Sequence, residues 1–323
     1  MKHSKKPCIS RLKRINISVT LILLICGGCV QKLEKGDPGP LIMLLRCINA
    51  DHPVQVNGEF SNPVKVTING YSGHAMEPSI SRDGSYLFFN SLNDGQDTSL
   101  YYASRVDDVT FISNGKINGV NGAPPHLDAV ASMDLGNHFY FISVRNYPAD
   151  YFNLFTGNFS GGTVSGLHEQ TGNFYIESSG WIIMDAEISP DCNDLYFVNA
   201  HFSGGSVPDR SDIGVAHLTA GSFIVDTNSS SIMANVNTGD CLEYAPSISS
   251  NGLELFFTRL NLCTATSEIL VAKRSTTTSN FGSPERIGAI TGFVEAPSLT
   301  IDGKTLYYHK NDNGIFTIYK VSR

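Results

Sequence analysis

The chain reads as all-β: a five-bladed β-propeller of four-stranded blades, its ring closed by an N-terminal strand. Three observations lead there. First, a phrase recurs. Glu77-Pro78-Ser79-Ile80-Ser81-Arg82-Asp83-Gly84, running into Tyr86-Leu87-Phe88-Phe89, returns as Glu295-Ala296-Pro297-Ser298-Leu299-Thr300-Ile301-Asp302-Gly303, running into Leu306-Tyr307-Tyr308. Weaker copies span 128–141, 185–197 and 245–257; taking Pro78 as marker, its equivalents are Ala129, Ala186, Pro246 and Pro297, at steps of 51, 57, 60 and 51 residues. Second, each copy consists of short strands and turns, which at this period is the signature of a propeller blade. Third, the fifth copy stops at Arg323, directly after its third strand. The missing strand is found ahead of the first copy.

The elements follow in order. Residues 1–28 read as a signal peptide of lipoprotein type. Six cations (Lys2, Lys5, Lys6, Arg11, Lys13, Arg14) precede an apolar run from Ile15 to Ile25, too short to span a bilayer comfortably. The run ends in Cys26-Gly27-Gly28-Cys29, which looks like a bacterial lipobox with Cys26 where Leu usually stands. Cys29 is therefore the expected lipidation site, with plain cleaved secretion as the alternative. The Cys26-x-x-Cys29 spacing of a thiol redox pair carries no weight inside a signal peptide. Residues 29–58 read as a tether, because Lys32 to Pro40 holds two Pro and two Gly in nine residues. The fate of Leu41–Leu45 stays open. Residues 59–323 form the propeller.

Within each repeat an inner strand such as Pro78–Ser81 leads to an Asp-Gly turn, whose Gly supplies the positive φ of a tight hairpin. A near-continuous apolar second strand follows, such as Tyr86–Ser91, buried on both faces between blades. Third strands (Ser99–Ser104, Asn153–Thr156, Asp212–Ala216, Glu268–Ala272, Phe316–Tyr319) and more polar outer strands such as Thr110–Val120 complete the pattern. Asn62–Gly70 matches Ser283–Ile290, which precedes the fifth inner strand. It is expected to complete the last blade and remove its open edge.

The repeat resembles the TolB-type WD-like propeller repeat of bacterial envelope proteins. The resemblance rests on acid-Pro-Ser-Ile-Ser-x-Asp-Gly-x-x-Leu-x-Phe, then a Gly/Asp loop and a third strand such as Asp212-Ile-Gly-Val-Ala216, and covers residues 60–323. That family's namesake has six blades and a second domain, neither evident here. The resemblance implies an envelope-located, non-catalytic binding scaffold and carries over no catalytic residues.

Charge limits the partners. The chain has 23 basic and 30 acidic residues; without the six signal cations 17 basic residues remain, a net charge near −13. That sign argues against nucleic acid or an anionic membrane surface. A lipid anchor is the expected membrane contact, and the expected location is the bacterial cell envelope, outer membrane or periplasm-facing, with an envelope protein or small ligand as partner.

An acid sits at or beside the start of each inner strand: Glu77, Asp128, Asp185 with Glu187, Glu243 and Glu295. Five copies predict a ring of carboxylates at one mouth of the channel. One reading is that each acid ties a turn to backbone N–H groups, repeated because the blade is repeated. A second is a cation site, making the protein a cation-dependent structural or adhesive module. A third is a five-bladed glycoside hydrolase, in which Glu77, Asp128 and Glu187 (or Asp185) divide acid and base roles; the single mature Trp, Trp181, weighs against sugar platforms, though Tyr147, Tyr151, Phe152 and Phe202 lie in the longer loops. The first reading is the expected one, with no cofactor and no metal assigned. There is no G-x-S-x-G elbow and no H-E-x-x-H, and no Gly-rich phosphate loop leads into a helix. The loops Arg145–Asn153 and His201–Asp212 are expected on the channel-mouth face, with Arg145, Arg210 and Arg259 as anchors for a partner. Cys241 and Cys263 fall on one face of one blade and are the expected disulfide; Cys192, on the opposite face, is expected to be unpaired.

Overall fold

The computed structural model describes residues 54–323, arranged as five small antiparallel sheets around a central channel. The inner strands are Met76–Ile80, His126–Met133, Trp181–Ile188, Leu242–Ile248 and Val294–Leu299; three further antiparallel strands run outward from each. Phe88, Phe89, Phe139, Phe141, Tyr196, Phe256, Phe257, Tyr307 and Tyr308, all on second strands, are fully or almost fully buried. Each blade buries one face of this strand against each neighbour, so the apolar runs need no alternation. The expected signal peptide, Cys29, Leu41–Leu45 and most of the expected tether lie outside the described residues.

Ring closure follows the sequence expectation. Ser61–Lys65 pairs antiparallel with Ile315–Ser322 as the outer strand of blade five. The flanking residues add what the sequence did not signal. Gln55–Asn57, expected in the tether, lies parallel to Glu285–Ile287 on the outer edge of blade four. Thr67–Asn69 lies parallel to Thr110–Ile112 on blade one. The N-terminal segment is thus a belt across three consecutive blades. Arg323 fastens it, bonding to Glu59 at 3.0 Å and to both carboxylate oxygens of Glu254 at 3.0 and 2.5 Å.

The structure corrects the register of the second copy. The turn residues Gly84, Asn137, Cys192, Gly252 and Gly303 all have φ between 62° and 73°. Counting back six residues from each gives Pro78, Ala131, Ala186, Pro246 and Pro297. Ala131, not Ala129, is the marker of blade two. The missing Pro and a changed turn had hidden this.

The repeated Pro-Ser-Ile phrase is a blade-to-blade clasp. Ser298 Oγ accepts the N–H of Ile80 at 3.0 Å, Ser132 Oγ that of Ile188 at 3.0 Å, and Ser247 Oγ that of Leu299 at 3.1 Å. In each case a Ser of one blade satisfies the backbone of the next, groups that closure would otherwise leave buried and unpaired.

A candidate functional site in the central channel

Every inner strand carries a bulge. In four of them the residue before the marker (Glu77, Val130, Ala245, Ala296) has φ of 50–55°, a conformation costing a non-glycine residue roughly 1 kcal/mol. The bulge turns a backbone N–H toward the preceding blade. Glu77 N–H donates to His309 Nδ1 at 2.9 Å, Ala296 N–H to Thr258 Oγ1 at 2.9 Å, and Val130 N–H reaches Asn90 Oδ1 at 3.4 Å. The acceptors occupy equivalent second-strand positions in their blades. Blade three has Val198 there, which cannot accept. Asp185, cross-strand from Val198, takes the N–H of Ala245 instead.

This explains why the acids do not form one ring. Glu77 and Asp185 sit one residue before the marker, Glu295 two before, Asp128 and Glu243 three before, and Glu187 one after. Asp128, buried, accepts Arg145 Nη2 at 2.7 Å and the Gly122 N–H at 2.7 Å. Glu243, fully buried, accepts Arg259 Nε and Thr238 Oγ1 at 2.7 Å each. Glu187 bonds Arg82 Nη2 at 2.8 Å and Ser132 Oγ at 2.7 Å. Glu187 thus joins blade three to blades one and two, whereas Asp128 and Glu243 bond within their own blade and the loop leading into it.

The other three converge. Glu295 accepts the Tyr244 hydroxyl on Oε1 and His309 Nε2 at 2.9 Å on Oε2. Because His309 Nδ1 accepts from Glu77, its proton sits on Nε2 and points at Glu295. Asn93 Nδ2 donates to Glu77 Oε1 at 2.8 Å. Glu77 Oε2 and Asp185 Oδ2 are sealed from solvent without a hydrogen-bond partner. Burial, then the like charges of Asp185 and Glu295, push Glu77 well above the usual carboxylate range against the bond from Asn93. Asp185 is pushed up to about 7 by burial and the Glu295 charge, against the bond from Ala245. The void that Glu77, Asp185 and Glu187 line is about 30 Å³, room for a water or a single ion. The glycosidase candidates Glu77, Asp128 and Glu187 share no cleft that admits a sugar.

Of the expected anchors, only Arg210 is open. Arg145 is spent on Asp128 and packs over Phe155, and Arg259 is buried with Glu243. Arg210 keeps 61% of its side chain exposed, bonds Asp212 at 2.9 Å and lies 5.8 Å from the Trp181 ring. His201 lies tilted with its ring centre 5.0 Å from the same ring, and the neighbouring loop joins through the Gly180 N–H donated to Tyr147 Oη at 2.7 Å. The loops of blades two and three therefore do meet at the channel mouth.

The expected Cys241–Cys263 bridge is not formed. Cys241 is a buried free thiol, while Cys263 is disulfide-bonded elsewhere. The register explains it. Leu242 pairs with Leu260 and Asn261 with Thr266, so Cys263 lies inside the hairpin turn, two residues past the position facing Cys241.

Sequence reasoning missed Tyr244, His309 and Asn93. For His309 the available signal was the polar second-strand series Asn90, Ser143, Thr258 and His309, broken at Val198; Tyr244 on an inner strand and Asn93 in a loop carried none.

No family model and no curated protein matches the chain. Among solved structures, it resembles a family 117 glycoside hydrolase of Zobellia galactanivorans at 9% identity, covering 82% of this chain and 90% of that one, TM-score 0.50. TolB of Acinetobacter baumannii matches at 14%, covering 83% and 65%, TM-score 0.44. A putative TolB of Agrobacterium tumefaciens matches at 16%, covering 62% of each chain, TM-score 0.41. The chain thus spans less than two thirds of either TolB protein. At these identities the likeness speaks for the propeller fold alone.

Proposed function

We propose that the chain is a non-catalytic binding scaffold of the bacterial envelope, lipid-anchored through Cys29, that engages a protein or small ligand at its channel mouth. The observation that supports this reading is the cluster of half-buried Trp181 and His201 with exposed Arg210 over the joined loops of blades two and three, an aromatic–cation surface on a rigid frame. The absence of a sugar-sized cleft among the candidate acids weighs against the glycosidase reading. The test places a photo-crosslinking residue at 210 and, as control, at 107 on the opposite face, in protein expressed in its envelope. A discrete adduct from 210 alone, lost with Trp181→Ala, is expected; equal adducts from both, or none, would sink the proposal. The anchor is tested separately: Cys29→Ser should abolish fatty-acid labelling and release soluble protein.

A second reading, a cation held in the channel, is favoured by the two orphaned oxygens on Glu77 and Asp185. Three buried carboxylates facing each other repel unless protonated or neutralised by an ion, and oxygen-only ligands suit calcium. Calcium should raise the unfolding midpoint at pH 8 and leave it unchanged at pH 4.5. A pH-independent effect would speak for surface binding instead.

A further inference from the structure

The face opposite the channel mouth carries the hairpin turns between inner and second strands, and four of them are built alike. Ser81, Ser189, Ser249 and Thr300 each donate a side-chain hydroxyl hydrogen bond to the residue two positions on, Asp83, Asp191, Asn251 and Asp302, at 2.6–2.8 Å. Blade two departs from this. Asp134 stands in the Ser position, Gly136 replaces the usual acid, and His138 follows. Asp134 is almost fully buried and accepts both the N–H of His138 at 2.9 Å and its ring Nδ1 at 2.6 Å. Blade three departs at a different place. Cys192 occupies the left-handed turn position, φ 62°, where three other blades have Gly and one has Asn. A Cβ there costs roughly 1 kcal/mol that Gly avoids, so the turn itself gains nothing from a cysteine.

Both departures fall at one point in space. The two hairpins are tied by Leu135 N–H donating to Pro190 O at 3.0 Å. One ligand atom each from Asp134, His138 and Cys192 lies within 4.8 Å of the others.

We infer that Asp134, His138 and Cys192 form a zinc site that staples blades two and three together. A thiolate, an imidazole and a carboxylate are a donor set suited to Zn²⁺, and a tetrahedral ion with bonds of about 2.0–2.3 Å accommodates a cluster of this span with small rotations. The ion takes the place of the hydrogen bond between Asp134 and His138, the ring N–H then sitting on His138 Nε2, and binding releases the thiol proton of Cys192. His138 is half exposed, so water reaches the fourth position. Tyr140 Oη, 3.4 Å from Cys192 Sγ, stands where its hydroxyl can donate to a metal-bound thiolate. The site lies on the opposite face from the proposed partner surface and does not depend on it.

The test uses the reduced, chelator-stripped mature chain titrated with Co²⁺, then with Zn²⁺ as competitor. One equivalent of Co²⁺ should produce a thiolate-to-metal charge-transfer band, and Zn²⁺ should abolish it. Cys192→Gly restores the residue the turn prefers, so it should fold at least as stably as the parent while affinity falls by more than about 100-fold, beyond the usual loss from outer-shell changes. Cys241→Ser should keep the band, and His138→Asn should weaken binding by about tenfold or more. No thiolate band in the parent, a band that survives Cys192→Gly, or one that disappears in Cys241→Ser would overturn the assignment.

Discussion

Asp185→Asn offers the most searching test of the channel. Asn keeps the size of the side chain and an oxygen to accept the Ala245 N–H, and removes only the charge. In the parent, Asp185 is raised from 3.8 to about 7. Between these values the folded state binds more protons than the unfolded state, so stability falls as pH rises through the window and levels off above it. At about 1.4 kcal/mol per unit over roughly three units, the loss is on the order of 4 kcal/mol by pH 8. The variant has no such loss from this group. It should match the parent near pH 4 and exceed it at pH 8 by up to that amount. Neutralising Asp185 also removes one of the like charges that raise Glu77, so part of the gain comes through Glu77. Urea unfolding of both proteins at pH 4, 6 and 8, with chelator present to keep the channel free of ions, measures this directly. A difference that stays constant with pH, or a variant less stable at pH 8, would refute the account of the channel as a buried, repelling carboxylate cluster.

Three further outcomes follow from other parts of the fold. Removing residues up to 71 should strip outer strands from blades one, four and five together, lowering both the unfolding midpoint and the urea dependence; an unchanged transition would contradict the belt. Arg259→Met leaves Glu243 buried beside Thr238 without its cation and should cost about 3–5 kcal/mol in chemical denaturation, whereas the double variant with Glu243→Gln should recover much of this. His217 is held between Asp194 and Asp226 at 2.7 and 2.8 Å; burial lowers its affinity for protons, but the two carboxylates outweigh this and raise it. Its contribution should be full below the ordinary histidine value and fade as pH rises past the raised one, visible as an NMR titration of His217 whose midpoint lies at higher pH than an ordinary histidine's and moves back down with Asp226→Asn.

Five copies, their period and the strand borrowed by blade five were legible in the sequence because each is a local pattern repeated. Alternation, Asp-Gly turns and apolar second strands need no knowledge of distant neighbours. The placement of the acids was not legible in the same way. Glu77 and Asp128 look equivalent along the chain until the true marker of blade two puts Asp128 two residues further from it, and the bulge in each inner strand then sends such positions to different depths. Glu77 enters the channel; Asp128 and Glu187 meet arginines. Arg145 and Arg259 looked like free anchors because a sequence shows a charge and not the carboxylate folded against it. Cys241 and Cys263 share a blade, yet one is a buried free thiol and the other is disulfide-bonded, which a shared blade does not reveal. The sequence by itself determined the architecture, since repetition and periodicity act through near neighbours. Which polar groups ended buried, paired or orphaned was decided only when the ring closed, because each blade completes its hydrogen bonds with side chains of the next.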